Sequence, residues 1–187
     1  MATRLRRLWA AAAVAVPLIV FYTDAPPAGA TSATVNVTAG TLGFVSAAPA
    51  VTFNDTLNGK DQTPTATQAL DIGDATGSGA GWNITATSTT FTTGTVNLST
   101  TATTVQSTPT VACDASATCV TATNSITYPY TLPAAASAPT ATKVYNAAAN
   151  TGMGDQTVTV TWQVAIPAST KAGTYTSTWT LSLVSGP

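Results

Sequence analysis

The sequence predicts an all-β fold: an antiparallel β-sandwich of the Greek-key, Ig-like or jelly-roll-like type, with about nine to eleven short strands. Three observations favour this class. Threonine supplies most of the polarity and only 7% of the residues are charged, a composition that suits half-exposed pleated surfaces better than helices. Several stretches alternate apolar and polar residues with a period of two. Turn residues separate these stretches at fairly even spacing.

The best-patterned strand is the last one, at 173–183, where threonine or serine fills every even position. Its odd positions are predicted to face inward and carry Tyr175, Ser177, Trp179, Leu181 and Leu183. A strand that begins at Trp82 repeats the spacing, with Ile84 and Ala86 on the same face. A second long strand is predicted at 156–166. The short connection at 167–173 allows these last two strands either to pair directly or to lie on opposite sheets.

The remaining strands are shorter and follow the same alternation. They are predicted at 34–38, 42–45, 51–53, 66–72, 95–98, 109–112 and 125–130. In the first of them Val35 and Val37 are expected to face inward, and in the last Pro129 restricts pairing to an edge or a strand end.

The connections between strands carry their own turn signals. A polar loop at 54–64 contains the turn dipeptide Asn58-Gly59, and a glycine-rich loop at 74–81 must bend sharply or approach another backbone. This loop is not a phosphate cradle, because it lacks the Lys-Ser/Thr ending and precedes a strand. The alanine-rich stretch 134–150 predicts a short helical turn near 141–149.

The first thirty residues read as a signal peptide. Arg4, Arg6 and Arg7 precede an apolar segment that is too short for a confident membrane span, and Ala28-Gly29-Ala30 forms a small-x-small cleavage site. We expect cleavage before Thr31, which leaves one secreted domain at 31–187 that is not bound to the membrane. An uncleaved amphipathic anchor is the alternative.

Composition argues against several functions of the mature chain. Three lysines and six aspartates remain, so no basic patch is available for nucleic acid. Histidine and glutamate are absent from the whole sequence, and we therefore predict no enzymatic activity and no cofactor. The aspartate pairs Asp71 with Asp74 and Asp55 with Asp61 read as solvated loop carboxylates, with a weak Ca²⁺ site as the alternative.

The two cysteines, Cys113 and Cys119, are expected to form a disulfide, as is usual in an exported protein. A loop of this size contributes about 2 kcal/mol in the chain-entropy model.

The aromatic residues allow two interpretations. Trp82, Trp162 and Trp179 lie among inward aliphatic residues, which favours core packing over stacking on sugar rings. Tyr128 and Tyr130 are better candidates for sugar stacking, on the expectation that they are exposed.

Two motifs, Trp82-Asn83-Ile84 after the glycine-rich loop and Trp179-Thr180-Leu181 in the last strand, resemble those of the WxL-domain family of Gram-positive surface proteins. The resemblance spans most of the mature chain and departs from the family pattern at Ile84, which replaces leucine. It implies non-covalent attachment to the cell wall, peptidoglycan as the ligand, and membership of multi-protein surface assemblies. The alanine-rich signal suggests a high-GC bacterium and an actinobacterial member of the family.

We therefore predict a secreted cell-surface protein that binds cell-wall peptidoglycan. Since no sortase-type tail follows the last strand, attachment is expected to be non-covalent. The alternative is a structural subunit of a surface fibre or layer, in which copies join through sheet edges that carry few blocking charges.

Overall fold

The computed structural model describes Gly29 and residues 31–187, so the predicted signal peptide lies almost entirely outside the described residues. The β-domain comprises residues 37–187. Its ten strands are β1 (Leu42–Phe44), β2 (Thr65–Asp74), β3 (Trp82–Thr89), β4 (Thr103–Val105), β5 (Thr110–Cys113), β6 (Tyr130–Thr131), β7 (Ala134–Ala135), β8 (Thr142–Ala147), β9 (Gly154–Val164) and β10 (Trp179–Ser185).

The first sheet has six strands and is organised around β9. The long strand β2 pairs antiparallel with β9 along ten residues, and β1 extends this side. On the other side of β9 lie two short strands, β5 next to its first half and β4 next to its second half. β6 then pairs with β4 at the outer edge.

The second sheet has four strands and is organised around β3. β10 pairs antiparallel with the whole length of β3 on one side. On the other side lie β8, which is antiparallel, and the two-residue β7, which is parallel. The two longest strands of the C-terminal half, β9 and β10, therefore belong to different sheets. Of the two arrangements open to them from the sequence, the structure adopts the one on opposite sheets.

The space between the sheets is filled by the apolar residues of the alternating strands. On β9, Val158, Val160, Trp162 and Val164 are buried, while the intervening threonines face outward and are half-buried. Leu70 and Ile72 on β2 and Ile84 on β3 are fully buried in the same cluster. The predicted antiparallel β-sandwich is thus confirmed, and its core follows the period-two pattern. None of the described residues forms a helix that could cross a membrane.

Four predicted strands are wrong. Residues 34–38 form no strand, and Val35 and Val37 are 85% and 89% exposed instead of facing inward. Residues 51–53 and 95–98 also lack strand pairing, apart from one bridge between Thr92 and Asn97. Of residues 125–130 only Tyr130 belongs to a strand, as the first residue of β6. Alternation alone does not make a strand: the segment also needs a neighbouring edge with free backbone groups.

The expected helical turn near 141–149 is also wrong, because this stretch is the strand β8. Alanine favours helix intrinsically, but Val144 and Tyr145 are buried here against the core. Pairing with β3 and the burial of these side chains override the local preference. The last strand is also shorter than predicted: β10 starts at Trp179, and residues 173–178 precede it as an irregular segment.

The glycine-rich loop is one of the tightest points of the fold. Gly77, Gly79 and Gly81 all have positive φ values, which other residues rarely adopt. At Gly81 (φ +73°) an added Cβ would overlap the carbonyl oxygen of Ala147 and lie 2.9 Å from that of Ala148. The loop therefore needs glycine both for its turn and for its close approach to the chain after β8.

The predicted disulfide is present and joins Cys113 at the end of β5 to Cys119. It closes a small loop beside β9, where Val120 donates a backbone hydrogen bond to Met153.

We expect Gly81→Ala to lower the free energy of unfolding by about 3 kcal/mol, because it combines backbone strain with a steric overlap. Gly77→Ala is the matched control: it has a similar φ (+63°) and open space around the added Cβ. The control should cost about 1 kcal/mol through strain alone. Urea unfolding followed by tryptophan fluorescence measures both, and equal losses would contradict the proposed backbone contact.

Candidate functional site

A large groove opens where β1 and β10 lie at the edges of the two sheets. Its walls are the segment 47–57, which follows β1, and the segment 170–177, which precedes β10. The groove has a volume of about 1260 Å³. This exceeds the roughly 300–1,000 Å³ of a typical small-molecule pocket, so it can hold part of an extended ligand.

Aromatic rings form the floor of the groove. Phe53, Phe91 and Trp179 all line it, and their ring centroids are 6.2–6.3 Å apart. Beneath them, Trp162 of β9 meets Trp179 of β10 in an edge-to-face contact with centroids 4.7 Å apart. Such contacts are more favourable than their buried area alone would give. The floor therefore combines one strand residue, Trp179, with two loop residues, and it rests on Trp162 of the other sheet.

Hydrogen bonds beneath the floor fix its position. The indole Nε1–H of Trp162 donates to Gln68 Oε1 at 2.9 Å, and Gln68 Nε2 donates to the carbonyl oxygen of Pro49 at 2.7 Å. Both side chains are buried. A buried amide that lacked these partners would be costly, so the chain of bonds is strongly favoured. It connects the floor to the 47–57 wall.

The rim of the groove is polar but almost uncharged. Among the described residues, Asp55 and Lys171 are the only charged ones that line it. Asp55 already accepts hydrogen bonds from the Thr56 amide and from Gln62 Nε2. Tyr175 lies half-buried with its hydroxyl donated to the Lys171 carbonyl. The other polar side chains of the lining are uncharged, and they include Asn54, Thr174, Thr176 and Ser177.

The two Trp-x-aliphatic motifs occupy different environments. Trp82 and Ile84 are fully buried, and Trp82 Nε1 donates to the Gly152 carbonyl at 2.8 Å. Trp179 and Leu181 are only partly buried and line the groove. Because β3 and β10 run antiparallel, the two tryptophans lie at opposite ends of the strand pair. The first motif is a structural element, and the second contributes both to the core and to an accessible surface.

The two tyrosines predicted as sugar-stacking residues lie away from this groove. Tyr128 and Tyr130 are partly buried against the core. The Tyr128 hydroxyl donates to the Val144 carbonyl at 2.7 Å and accepts from Asn124 Nδ2, and burial raises its pKa to about 12. The expectation that these rings are exposed is therefore not met.

Sequence reasoning missed most of the groove. Phe91 lies in a polar, threonine-rich stretch, whereas Phe53 ends a largely apolar stretch that was predicted as a strand; neither stretch forms one. For Phe91, an aromatic residue in a polar loop was the available signal. That the two loops meet, however, depends on pairing between distant strands.

A second cluster of polar groups lies on the outer face of the first sheet. The carboxylates of Asp71, Asp114 and Asp155 approach within 4.8 Å of one another. Thr157 donates a hydrogen bond to Asp114 Oδ1. Burial, followed by the charges of the other two aspartates, raises the pKa of Asp71 above its ordinary value. The structure thus groups Asp71 with different partners from those considered for Ca²⁺, because Asp74 binds Thr76 and Asp61 binds the Ala168 amide.

Fold and groove together define a two-sheet β-sandwich module with an aromatic, nearly neutral groove. The family described as "WxL domain surface cell wall-binding" matches residues 27–187, which is nearly the whole chain. The chain belongs to this family, which confirms the predicted membership. No curated protein and no solved structure matches it significantly.

The Asp71 carboxylate gives a pH-dependent prediction. Its raised pKa means that the folded state binds more protons than the unfolded state between the ordinary and the raised value. Stability therefore falls as the pH rises through that window. Asp71→Asn should raise the free energy of unfolding by about 0.5 kcal/mol at pH 7, a typical value for partly exposed charge pairs.

Thermal unfolding between pH 3 and pH 7 tests this prediction. The advantage of the variant should shrink toward low pH, and added salt should also reduce it by screening the three charges. A gain that did not depend on pH, or a loss of stability at pH 7, would contradict the proposed repulsion.

Proposed function

We propose that this protein is exported and attaches non-covalently to the bacterial cell wall by binding the glycan of peptidoglycan in the groove. Membership of a surface cell wall-binding family supports the wall as partner. The observation that favours the groove as the site is its aromatic floor, made by Phe53, Phe91 and Trp179, beneath a rim of hydroxyl and amide groups.

This combination matches the two sides of a sugar ring. The C–H groups on one ring face form a small apolar surface that packs on an aromatic ring, and the hydroxyl and N-acetyl groups at its edge need hydrogen-bond partners. Thr174, Thr176 and Asn54 offer such partners along the rim. A volume of about 1260 Å³ leaves room for more than one sugar unit, as expected for a site that binds a polymer.

The charges favour the glycan over an anionic wall polymer. Of the residues that the structure describes, only Lys171 supplies a cation at the groove, and Asp55 lies in the same lining. A polyphosphate ligand would need a cluster of lysines or arginines to replace its counterions. A largely neutral glycan makes no such demand.

We further propose that binding occurs without turnover. Cleavage of a glycosidic bond requires an acid and a second carboxylate or base. Among the groove residues Asp55 is the single carboxylate, and the sequence contains no histidine or glutamate. Export is proposed because residues 1–30 have the sequence pattern of a signal peptide.

A structural subunit that joins copies through sheet edges is the second candidate function. The observation that favours it is the edge of β10 that does not pair with β3, because copies could join through its free backbone groups.

Co-sedimentation with purified sacculi tests the wall-binding proposal. The protein should pellet with the sacculi, and soluble wall fragments should release it. Tyr175→Ala is expected to weaken binding about tenfold, since the loss of one interface aromatic residue typically costs more than 1 kcal/mol. Its ring lies half-exposed, so the fold should tolerate the change.

Val184→Ala is the matched control, because Val184 is a 45% exposed apolar residue on β10 that does not line the groove. It should bind like the wild type. Absence of pelleting by the wild-type protein would overturn the function. Equal weakening by both substitutions would overturn the groove as the site.

A further inference from the structure

The last strand, β10, has an open edge. At the two ends of its pairing with β3, the Thr89 amide donates to the Thr178 carbonyl and the Gly186 amide donates to the Gly81 carbonyl. Even-numbered residues therefore bond to β3. Because backbone groups alternate in direction along an antiparallel strand, those of Trp179, Leu181 and Leu183 point away from β3. No other segment of the described chain pairs with that edge.

This edge carries none of the features that normally block strand addition. β10 contains no charged residue and no proline. Its first part also runs along the groove, since Trp179, Thr180 and Leu181 line it. A strand laid beside β10 would thus gain backbone hydrogen bonds and could place alternate side chains against the aromatic floor, as in β-augmentation.

The same chain contains a segment with the pattern of such a strand. Residues 34–38 read Thr-Val-Asn-Val-Thr and form no strand of their own. Val35 and Val37 share one side of an extended backbone, and with exposures of 85% and 89% they are the most exposed large apolar side chains described. No charged residue occurs between 31 and 41, so the segment matches an apolar, nearly neutral groove.

We propose that residues 34–38 of one copy add as a strand to the open edge of β10 in a second copy, with Val35 and Val37 placed in the groove. Five residues span about 17 Å, which is close to the length of the edge from Trp179 to Leu183. Donor segment and acceptor edge are different surfaces of the same protein. The contact is therefore heterologous and either closes into a ring or continues as a filament.

Strand addition and glycan binding would use the same aromatic floor, so that each excludes the other. This exclusion rests on the proposed function, whereas the strand pairing does not.

The mass of the purified protein in sedimentation-velocity experiments tests the pairing in the absence of any wall material. The wild type should change from monomer to assemblies as its concentration increases. The double variant V35D/V37D should stay monomeric, because two carboxylates cannot enter the apolar groove. T34D/N36D is the matched control, with the same two charges on the opposite side of the segment, and it should still assemble.

A wild-type protein that stays monomeric at every concentration would overturn the proposal, as would equal dissociation of the two double variants. Both sites are exposed, so neither variant should affect folding. Wall binding is measured separately, by pelleting with sacculi. The strand-pairing proposal can therefore fail while wall binding holds, and the reverse.

Hydrogen exchange locates the added strand. A synthetic peptide with the sequence of residues 31–40 should bind the monomeric V35D/V37D variant and slow exchange at the amides of Trp179, Leu181 and Leu183 at least tenfold. The amides of Thr180 and Ser182 already bond to β3 and should not change. No protection at the first three amides would overturn the site. Protection of these amides in the wild-type monomer without peptide would show that the segment closes on its own chain, and would overturn pairing between copies.

Discussion

The contact between Trp162 and Trp179 is the interaction on which the rest of this structure depends. One ring comes from the central strand of the first sheet and the other from the edge strand of the second, and their centroids are 4.7 Å apart. The contact joins the two sheets beneath the groove. The outer side of Trp179 forms part of the groove floor. Gln68 then couples Trp162 to the Pro49 carbonyl, so the position of one groove wall follows from the same core contact. The packing of the core and the shape of the groove are therefore not independent.

The two family motifs show how similar local patterns acquire different roles. Trp82 lies on β3, which has neighbours on both sides, and every atom of its side chain is enclosed. Trp179 lies on β10, which has a neighbour on one side only, so part of its ring stays accessible. Position within the sheet separates the structural tryptophan from the one that a ligand can reach. The motif itself contains no information on that difference.

The long alternating strands were predictable from sequence because their pattern and their environment agree. β2, β3 and β9 each pack one face against the core, and their sequences alternate between apolar and polar residues accordingly. The disulfide and the glycine-rich turn were equally accessible, since each depends on few residues. Short elements were not predictable: β8 reads as alanine-rich helix, and residues 34–38 read as a strand that has no partner within the domain. The groove was missed for the same reason, because Phe53, Phe91 and Trp179 meet only through the pairing of distant strands.

The indole N–H signals of the three tryptophans in the domain give the most direct test of the groove as the wall-binding site. Trp82 and Trp162 are fully buried with their Nε1–H groups bonded to Gly152 and Gln68, so they act as internal controls. Titration with soluble peptidoglycan glycan fragments, followed by NMR, should shift the Trp179 signal first and most strongly. Binding that left Trp179 unchanged while it shifted residues on the outer threonine faces would contradict this account.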